Sequence, residues 1–404
     1  MSEFDDLIIA APQRDVSVTI DTSVIRLDPG LRTSPPIPAM ILTDEQNLAI
    51  ETMVKWADDD MASQHFCFGG YAGTGKTTVI KTLIATLRND FNVAVCAFTG
   101  KACNVLMRKG IPASTMHSLM YDVVEQDDGS VEFFPKPFIA GELDLIIVDE
   151  ASMVSTQLYN DLMKYDKPVI FVGDPGQLEP VGDNPNLMKQ PDFVLTKIHR
   201  QAEKSPILSL ATAIRNGGPL QAVVSGPELI IKDKKISSPE VLAATQAICA
   251  KNKTRHFLNT SIRQYKSLPA AVVVKGEKLI CLRNNSLWNV FNGMIFHVKE
   301  IFSEDGNVWR CNVEDEDGHI HRRLPIWKRP FIDQSFDPKD PALRISKQVV
   351  YCDYAYVITC HKSQGSEWEH VWVYDEWMPP AVWDMKRWRY TAITRAANKL
   401  TYCK

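Results

Sequence analysis

Nowhere does this 404-residue sequence carry an unbroken apolar run approaching the roughly 18 residues of a membrane-spanning helix, so no membrane role is expected. The opening residues Met1–Asp6 are acidic and lack the basic flank and apolar core of a secretory signal, so no export is expected either. No CxxC pair occurs. The nine cysteines are odd in number and scattered, and Cys67, Cys96 and Cys281 fall inside apolar stretches. That usage excludes a disulfide scaffold and predicts reduced core thiols in a cytoplasmic protein. His319-x-His321 offers a pair of metal-binding types, but no second pair of ligands stands near it in sequence, so a solvated strand is expected. Excess positive charge is also missing: 45 Lys and Arg face 49 Asp and Glu, a net charge of −4. A cation-coated protein is thereby excluded. A channel for nucleic acid needs only local charge and stays open as a reading. The C-terminal stretch is locally basic, with Lys386, Arg387, Arg389, Arg395, Lys399 and Lys404.

What is present is an ordinary globular composition, 45% hydrophobic and 23% charged, on a chain long enough for two or three cores. Residues 1–40 contain the Pro-rich stretch Ser34–Pro38 and no sustained period, which reads as an N-terminal extension. From Leu42 short apolar runs alternate with helical ones. His65–Phe68, Asn92–Phe98, Leu143–Val148 and Pro168–Val172 read as strands, with helices after Gly75 and around Val154–Lys164. Such alternation predicts a parallel sheet covered on both faces, with ligands gathered at the carboxyl ends of its strands. A second alternating region runs from about residue 198 to 275 and resumes from 347 to 404. Between them Lys278–Arg283, Ile295–Ile301, Val308–Val313 and His319–Leu324 read as antiparallel strands, punctuated by the turns Asn292-Gly293 and Asp317-Gly318. That interval, 276–346, is expected to be a small β-barrel followed by a Pro- and Asp-rich return loop, Phe331–Pro341.

Gly70-Tyr-Ala-Gly-Thr-Gly-Lys-Thr77 fits GxxxxGK(S/T) between a predicted strand and a predicted helix, the context the motif requires. Glycines let backbone N–H groups turn toward phosphate oxygens, and the helix start adds partial positive charge. Gly73, Thr74, Gly75, Lys76, Thr77 and Thr78 are therefore the candidate nucleotide contacts. Lys76 would reach the β- and γ-phosphates, and Thr77 would offer a hydroxyl to Mg²⁺. Val148-Asp-Glu-Ala-Ser152 ends an apolar strand in two carboxylates. Asp149 is placed to hold Mg²⁺ and Glu150 to orient the attacking water, so ATP hydrolysis is the expected chemistry.

The loop alone does not choose among P-loop proteins. Further tracts resemble, in order from Leu42 to Thr401, superfamily 1 helicases of the RecD/Dda-like branch, and the compact Dda-like form most. Leu42-Thr-Asp-Glu-Gln46 resembles the tract whose glutamine, here Gln46, reads adenine. Ala97–Ala102 and Ser114–Leu119 resemble two tracts at single-stranded DNA. Gly173-Asp-Pro-Gly-Gln-Leu-Glu-Pro180 is similar to the tract in which Gln177 would sense the γ-phosphate. Ile198-His-Arg-Gln201 matches the segment whose arginine, Arg200, contacts that phosphate. Thr359–Glu367 is similar to the tract that grips DNA and nucleotide, and Tyr390–Arg395 to the last, with Arg395 as an arginine finger.

The resemblance implies an α/β fold of two RecA-like P-loop domains with parallel sheets. It divides the chain into 41–197 (first domain, with a hairpin insertion at 120–138), 198–275 with 347–404 (second domain) and 276–346 (SH3-like barrel). It implies Lys76, Asp149, Glu150, Gln177, Arg200 and Arg395 as the catalytic set, Gly365 and Glu367 as further nucleotide contacts, and ATP with Mg²⁺ as substrate and metal. Thr99, Lys101, His117, Ser118, Thr359, His361, Lys362 and Gln364 are the implied DNA contacts. The implied activity is 5′-to-3′ translocation and unwinding on single-stranded and forked DNA, by a monomer in a bacterial or phage-infected cell, with single-strand-binding or replication proteins as possible partners. A translocase that unwinds little, a binding module with a vestigial nucleotide site, and RNA as substrate remain alternatives.

Within 120–138, Tyr121–Val124 and Ser130–Phe134 are predicted to pair across Asp127-Asp128-Gly129. The family carries a strand-separating pin in this interval, which would set Phe133 or Phe134 against the splitting base pair. A hairpin with its aromatics packed inward is the other reading.

Overall fold

The computed structural model describes residues 42–404 apart from residues 60, 126–130, 140–142, 180–181, 199–204, 221–225, 234–236, 286, 334–335, 337–347 and 380–382. The expected extension 1–40 and the turn Asp127–Gly129 lie outside the described residues.

Six strands form the first parallel sheet: β1 (His65–Gly70), β2 (Val93–Ala97), β3 (Ser114–Thr115), and, after a hairpin of β4 (Tyr121–Glu125) and β5 (Val131–Pro135), β6 (Leu145–Asp149), β7 (Val169–Gly173) and β8 (Phe193–Leu195). Their order is β3-β2-β6-β7-β1-β8. Strand periodicity explains the two-sided burial. Phe66, Phe68, Leu145, Ile147, Ile170 and Val172 enter one core, while Cys67, Ile146, Val148, Val169 and Phe171 enter the other. The helices Asp44–Ala57, Lys76–Leu87 and Gly100–Arg108 cover the first face, and Thr156–Met163 covers the second. Asp44–Ala57 starts with a reciprocal cap between Thr43 and Gln46.

The second parallel sheet has the order β16-β10-β17-β18-β9, from β9 (Leu229–Lys232), β10 (Gln246–Cys249), β16 (Val357–Thr359), β17 (Trp368–Tyr374) and β18 (Ala396–Cys403). Between β10 and β16 the chain builds an antiparallel sheet of β11 (Lys278–Cys281), β12 (Ile295–Asp305), β13 (Val308–Asp315), β14 (Ile320–Trp327) and β15 (Cys352–Tyr354). Trp327 N donates to Val350 O at 3.0 Å and Val350 N to Pro325 O at 2.7 Å. The free edge of β14 thus meets the approach to β15 and the sheet rolls toward closure, which leaves less edge unpaired.

The expected fold class of two parallel sheets with antiparallel insertions is the observed one. Two local expectations need correction. The return segment begins with a short helix, Arg329–Ile332, where only loop was expected, because Pro330 suits a first turn and Phe331 packs into the insert's core. Strands β12 and β14 also run on to Asp305 and Trp327, carried by cross-strand partners that a propensity reading does not see. The hairpin pairs as predicted, Asp122 opposite Phe134. Its base is held by Tyr165 Oη, which donates to Met120 O and Lys136 O at 2.9 Å each. All nine cysteines are free and buried, and burial raises their thiol pKa values, Cys67 to about 12, as core thiols require. Among the described residues no helix is long and apolar enough to cross a membrane.

Candidate active site and nucleic-acid interface

Strand β1 ends at Gly70 and the chain turns through residues 71–75 into the helix Lys76–Leu87. Gly75 has φ of 86°, and a Cβ there would collide with Gln46 Nε2, so only glycine fits. Gln46 is buried under the loop: Oε1 accepts from Thr43 N at 2.9 Å and Nε2 donates to Thr74 O at 3.0 Å. The expected adenine reader is therefore also a strut of the phosphate loop. Thr74 Oγ1 donates to Tyr71 O at 2.8 Å, and Lys76 Nζ donates to Gly70 O at 2.6 Å. The Lys76 ammonium lies 4.0 Å from Asp174 Oδ2, and Thr77 Oγ1 accepts from Lys109 Nζ at 3.4 Å. Gly73, exposed, and Thr78, in the helix's first turn, complete the predicted set in one continuous loop.

Strand β6 delivers Asp149, in register with Ala97, and Glu150 follows with φ 54° and ψ 41°. A left-handed glutamate is strained, and such strain persists where surrounding structure dictates a side-chain direction. Burial raises the carboxyl pKa of Asp149, opposed by the Glu150 backbone N–H and the charges of Lys76 and Lys109. Burial raises Glu150 as well, helped by the charge of Asp149 and opposed by Arg395 and Lys76. Two crowded, poorly solvated carboxylates beside a threonine hydroxyl form an oxygen donor set suited to a hard divalent cation, so Asp149 and Thr77 fit the expected Mg²⁺.

Strand β7 lies between β1 and β6 and ends beside Asp174, which is only 2% exposed. Asp174 Oδ1 accepts from Gly176 N at 2.8 Å; Oδ2 accepts from Tyr390 Oη at 2.9 Å and from Gln177 Nε2 at 3.4 Å. Gln177 Oε1 is buried with no hydrogen-bond partner among the described residues.

The second half of the chain closes on these groups. Tyr390, on the helix Met385–Ile393, also accepts from Ala72 N at 2.8 Å, so one phenol joins the phosphate loop to Asp174. Burial raises its pKa well above the usual value, which keeps the hydroxyl protonated for that bridge. A Cβ on Gly176 would stand 2.8 Å from the Tyr390 ring, so glycine permits the approach. Leu178 N donates to Thr391 Oγ1 and Leu178 O accepts from Gln364 Nε2, each at 2.8 Å. Arg387 pairs with Glu179. The Arg215 guanidinium stacks 3.6 Å from the centre of the Tyr71 ring. Arg395 is buried; it donates to Thr391 O at 3.1 Å, Ser366 O at 3.0 Å and Thr394 Oγ1 at 3.2 Å, and its charge is felt at Glu150. Arg200 lies outside the described residues.

The expected DNA contacts divide into two groups. Thr99 caps the helix Gly100–Arg108, its oxygen accepting from Ala102 N at 3.1 Å. Ser118 lies in the helix Met116–Met120, whose Thr115 cap accepts its N–H at 3.1 Å. His117 stands beside Phe98 and Tyr121, and His361 beside Trp383, 5.5 Å between ring centres. Burial lowers the pKa of both histidines, which favours the neutral ring. Phe134 is 46% exposed on the hairpin, against the inward-packed reading, while the side chain of Phe133 lies outside the described residues. Other candidates are engaged by protein. Lys101 pairs with Glu316 of the β13–β14 turn, and Lys362 Nζ donates to Asn292 Oδ1 at 2.5 Å. Thr359 and Gln364 are buried. Gln364, an expected DNA contact, sends its amide Nε2 to Leu178 O and so ties the two halves. Gly365 has φ of 71°, and a Cβ there would stand 3.7 Å from Thr99 Oγ1 and Ala102 Cβ; Glu367 is exposed.

Family comparisons bear on the same segments. A model of an AAA domain matches residues 41–225 and one of the UvrD-like helicase C-terminal domain matches residues 354–402. The ATP-dependent RecD2 DNA helicase of Deinococcus radiodurans is 36% identical over 159 residues, 37% of this chain and 21% of that protein. The ATP-dependent DNA helicase Dda of Enterobacteria phage T4 is 30% identical over 191 residues, 44% of this chain and 43% of that protein. Over these segments the chain is similar to the DNA helicases RecD2 and Dda. A Pif1 helicase from Bacteroides, solved with ADP-AlF3 and single-stranded DNA, shares the fold with a TM-score of 0.54 at 20% identity, over 90% of this chain and 92% of that one. The matches to RecD2 and Dda span less than half of either protein.

The residues that connect the two halves were not singled out by the motifs. Asp174, Tyr390 and Thr391 stand inside recognised tracts but received no role, since a motif match ranks charge and glycine above a bridging hydroxyl. Arg215, Glu316 and Trp368 stand in no recognised tract. Trp368 Nε1 donates to Glu316 Oε1 at 2.5 Å, a pairing no sequence spacing announces.

Proposed function

We propose that the chain is an ATP-dependent DNA helicase that moves 5′ to 3′ along single-stranded DNA and separates duplex ahead of it. One observation carries the reading: Tyr390, from the second sheet, bridges the Ala72 amide of the phosphate loop and Asp174 at the end of β7. A nucleotide site built across two parallel sheets changes shape as the phosphates change, and the second sheet then moves with hydrolysis. The division into 41–197, 198–275 with 347–404, and 276–346 follows that joint. Action as a monomer in the cytoplasm of a bacterial or phage-infected cell fits the buried thiols and the kinship with a phage protein.

Lys76 holds the transferred phosphoryl group's charge at the loop mouth. Glu150, at the strained turn after β6, orients the attacking water and takes its proton at a carboxylate oxygen. Burial and the neighbouring Asp149 charge raise its pKa, which makes it a stronger base than an exposed glutamate. Gln177, with a free carbonyl end beside Asp174, aligns that water and reports the terminal phosphate to Tyr390. Arg395 and Arg200 neutralise the charge that develops, an effect worth about 10³–10⁵ in rate for such arginines. Thr77 and Asp149 would hold Mg²⁺, which would supply charge neutralisation to the phosphates. The strand runs over Thr99, Ser118, His117, His361 and Lys362, and Phe134 on its clamped hairpin meets the first base pair.

Displacement assays on 5′-tailed and 3′-tailed duplexes with Mg-ATP test the reading. Unwinding of the 5′-tailed substrate alone is expected, with Lys76→Ala reduced at least about 10²-fold in both unwinding and DNA-stimulated hydrolysis. Unwinding by Lys76→Ala at the native rate would overturn the mechanism, and preference for the 3′ tail would overturn the polarity.

A further inference from the structure

Three loops leave the carboxyl edge of the second sheet side by side. Strand β10 lies between β16 and β17, with Cys249 in register with Thr359 and Ile248 with Val373. Neighbouring strands are about 4.8 Å apart, so the loops starting at Cys360, Ala250 and Asp375 share an edge about 10 Å wide. The first carries His361 and Lys362. The other two enclose an open cavity of about 360 Å³ that no step above uses.

The walls of this cavity are chemically distinctive. Trp377, on the loop after β17, is 74% exposed and Phe257, on the helix Asn252–Tyr265, is 61% exposed, and Lys251 and Lys253 line the cavity with them. The acid present, Glu376, is consumed internally. Its Oε2 accepts from Ala250 N at 2.9 Å and Lys251 N at 3.1 Å, and its other oxygen accepts from the Thr254 hydroxyl. That carboxylate locks the two segments together with its oxygens turned to protein donors, and two lysines against one acid leave the lining net positive. Lys251 Nζ also donates to Trp377 O at 3.0 Å, which fixes the backbone bearing the ring. Exposed rings on a braced frame, interleaved with cations around a nucleotide-sized opening, are what an unstacked nucleobase and its phosphate need. An apolar peptide would need the rings but not the lysines.

We infer that the cavity among Lys251, Lys253, Phe257 and Trp377 is a base-stacking subsite for single-stranded DNA. It extends the track past His361 and Lys362 to the far side of β10. The inference rests on the motor reading above and adds a site to it. Stacking tolerates every base, so the subsite would hold the strand without selecting sequence.

Anisotropy titrations of the full chain with fluorescent oligo-dT of increasing length test it, beside binding of a fluorescent ATP analogue. For oligomers long enough to reach the cavity, Trp377→Ala is expected to weaken binding about five- to tenfold. Trp377→Phe should restore most of that loss, and analogue binding should not change. Lys253→Ala should reduce the salt slope by about 0.7. Native affinity in Trp377→Ala at every length, with the unaltered chain binding DNA, would overturn the subsite and leave the motor reading standing. Failure of the unaltered chain to bind oligo-dT would overturn both. A loss in Trp377→Ala that Trp377→Phe does not recover would reduce the ring to a structural role and overturn the stacking reading.

Discussion

The two parallel sheets contribute to one cleft in different ways. The first presents its chemistry on short contiguous tracts at the ends of β1, β6 and β7, where a backbone turn places Lys76, Asp149 or Asp174 directly. The second presents side chains from distant elements: Arg215 at the end of one helix, Gln364 after β16, and Tyr390, Thr391 and Arg395 from the last helix and the turn beyond it. In the proposed function the first sheet holds the nucleotide and the second senses it. A binding wall tolerates local design because backbone amides do most of the holding. A sensing wall must touch several points of the first at once, and those contacts exist only after both sheets have folded.

The contrast sharpens into experiments. Arg395→Ala removes the sensing cation while leaving the phosphate loop intact. DNA-stimulated kcat is expected to fall about 10³-fold, with ATP-analogue binding changed far less; an equal loss of both would place Arg395 in the holding wall. Tyr390→Phe removes only the hydroxyl that joins Ala72 to Asp174. A loss of about tenfold in DNA-stimulated kcat, with thermal midpoint nearly unchanged, is expected from a buried hydrogen bond of that kind, and full stimulation would show that the bridge carries no coupling. The smallest effect is expected at the antiparallel insert. Glu316 accepts from Trp368 and pairs with Lys101 on the DNA-side tract. Burial lowers the Lys101 pKa and the Glu316 carboxylate opposes that shift while engaging the ammonium. Glu316→Ala should release Lys101 toward phosphate and tighten oligo-dT binding about two- to threefold at low salt. Weaker binding would mean that the pair positions the tract for DNA.

Much of the holding wall was legible in the residues. The spacing Gly70–Thr77, the apolar strand ending in Asp149 and Glu150, and the period-2 burial of β6 and β7 are local properties, and local properties survive translation into structure. The hairpin pairing of Asp122 with Phe134 was legible for the same reason. The sensing wall was only partly so. Arg395 stood out by charge and motif, whereas the link from Gln364 to Leu178 was not legible because it spans the joint between the sheets. His319 and His321 lacked visible partners in sequence, yet the turn brings His321 Nε2 to 3.0 Å from Asp315 Oδ2 and Asp317 against Arg108.

By itself the sequence determined the phosphate loop, the acid pair and two parallel sheets, since backbone turns and strand periodicity act within a few residues. Only the tertiary structure decided which hydroxyl, amide and guanidinium would span the cleft. Those contacts join residues hundreds of positions apart, and their geometry depends on how two separately folded sheets pack.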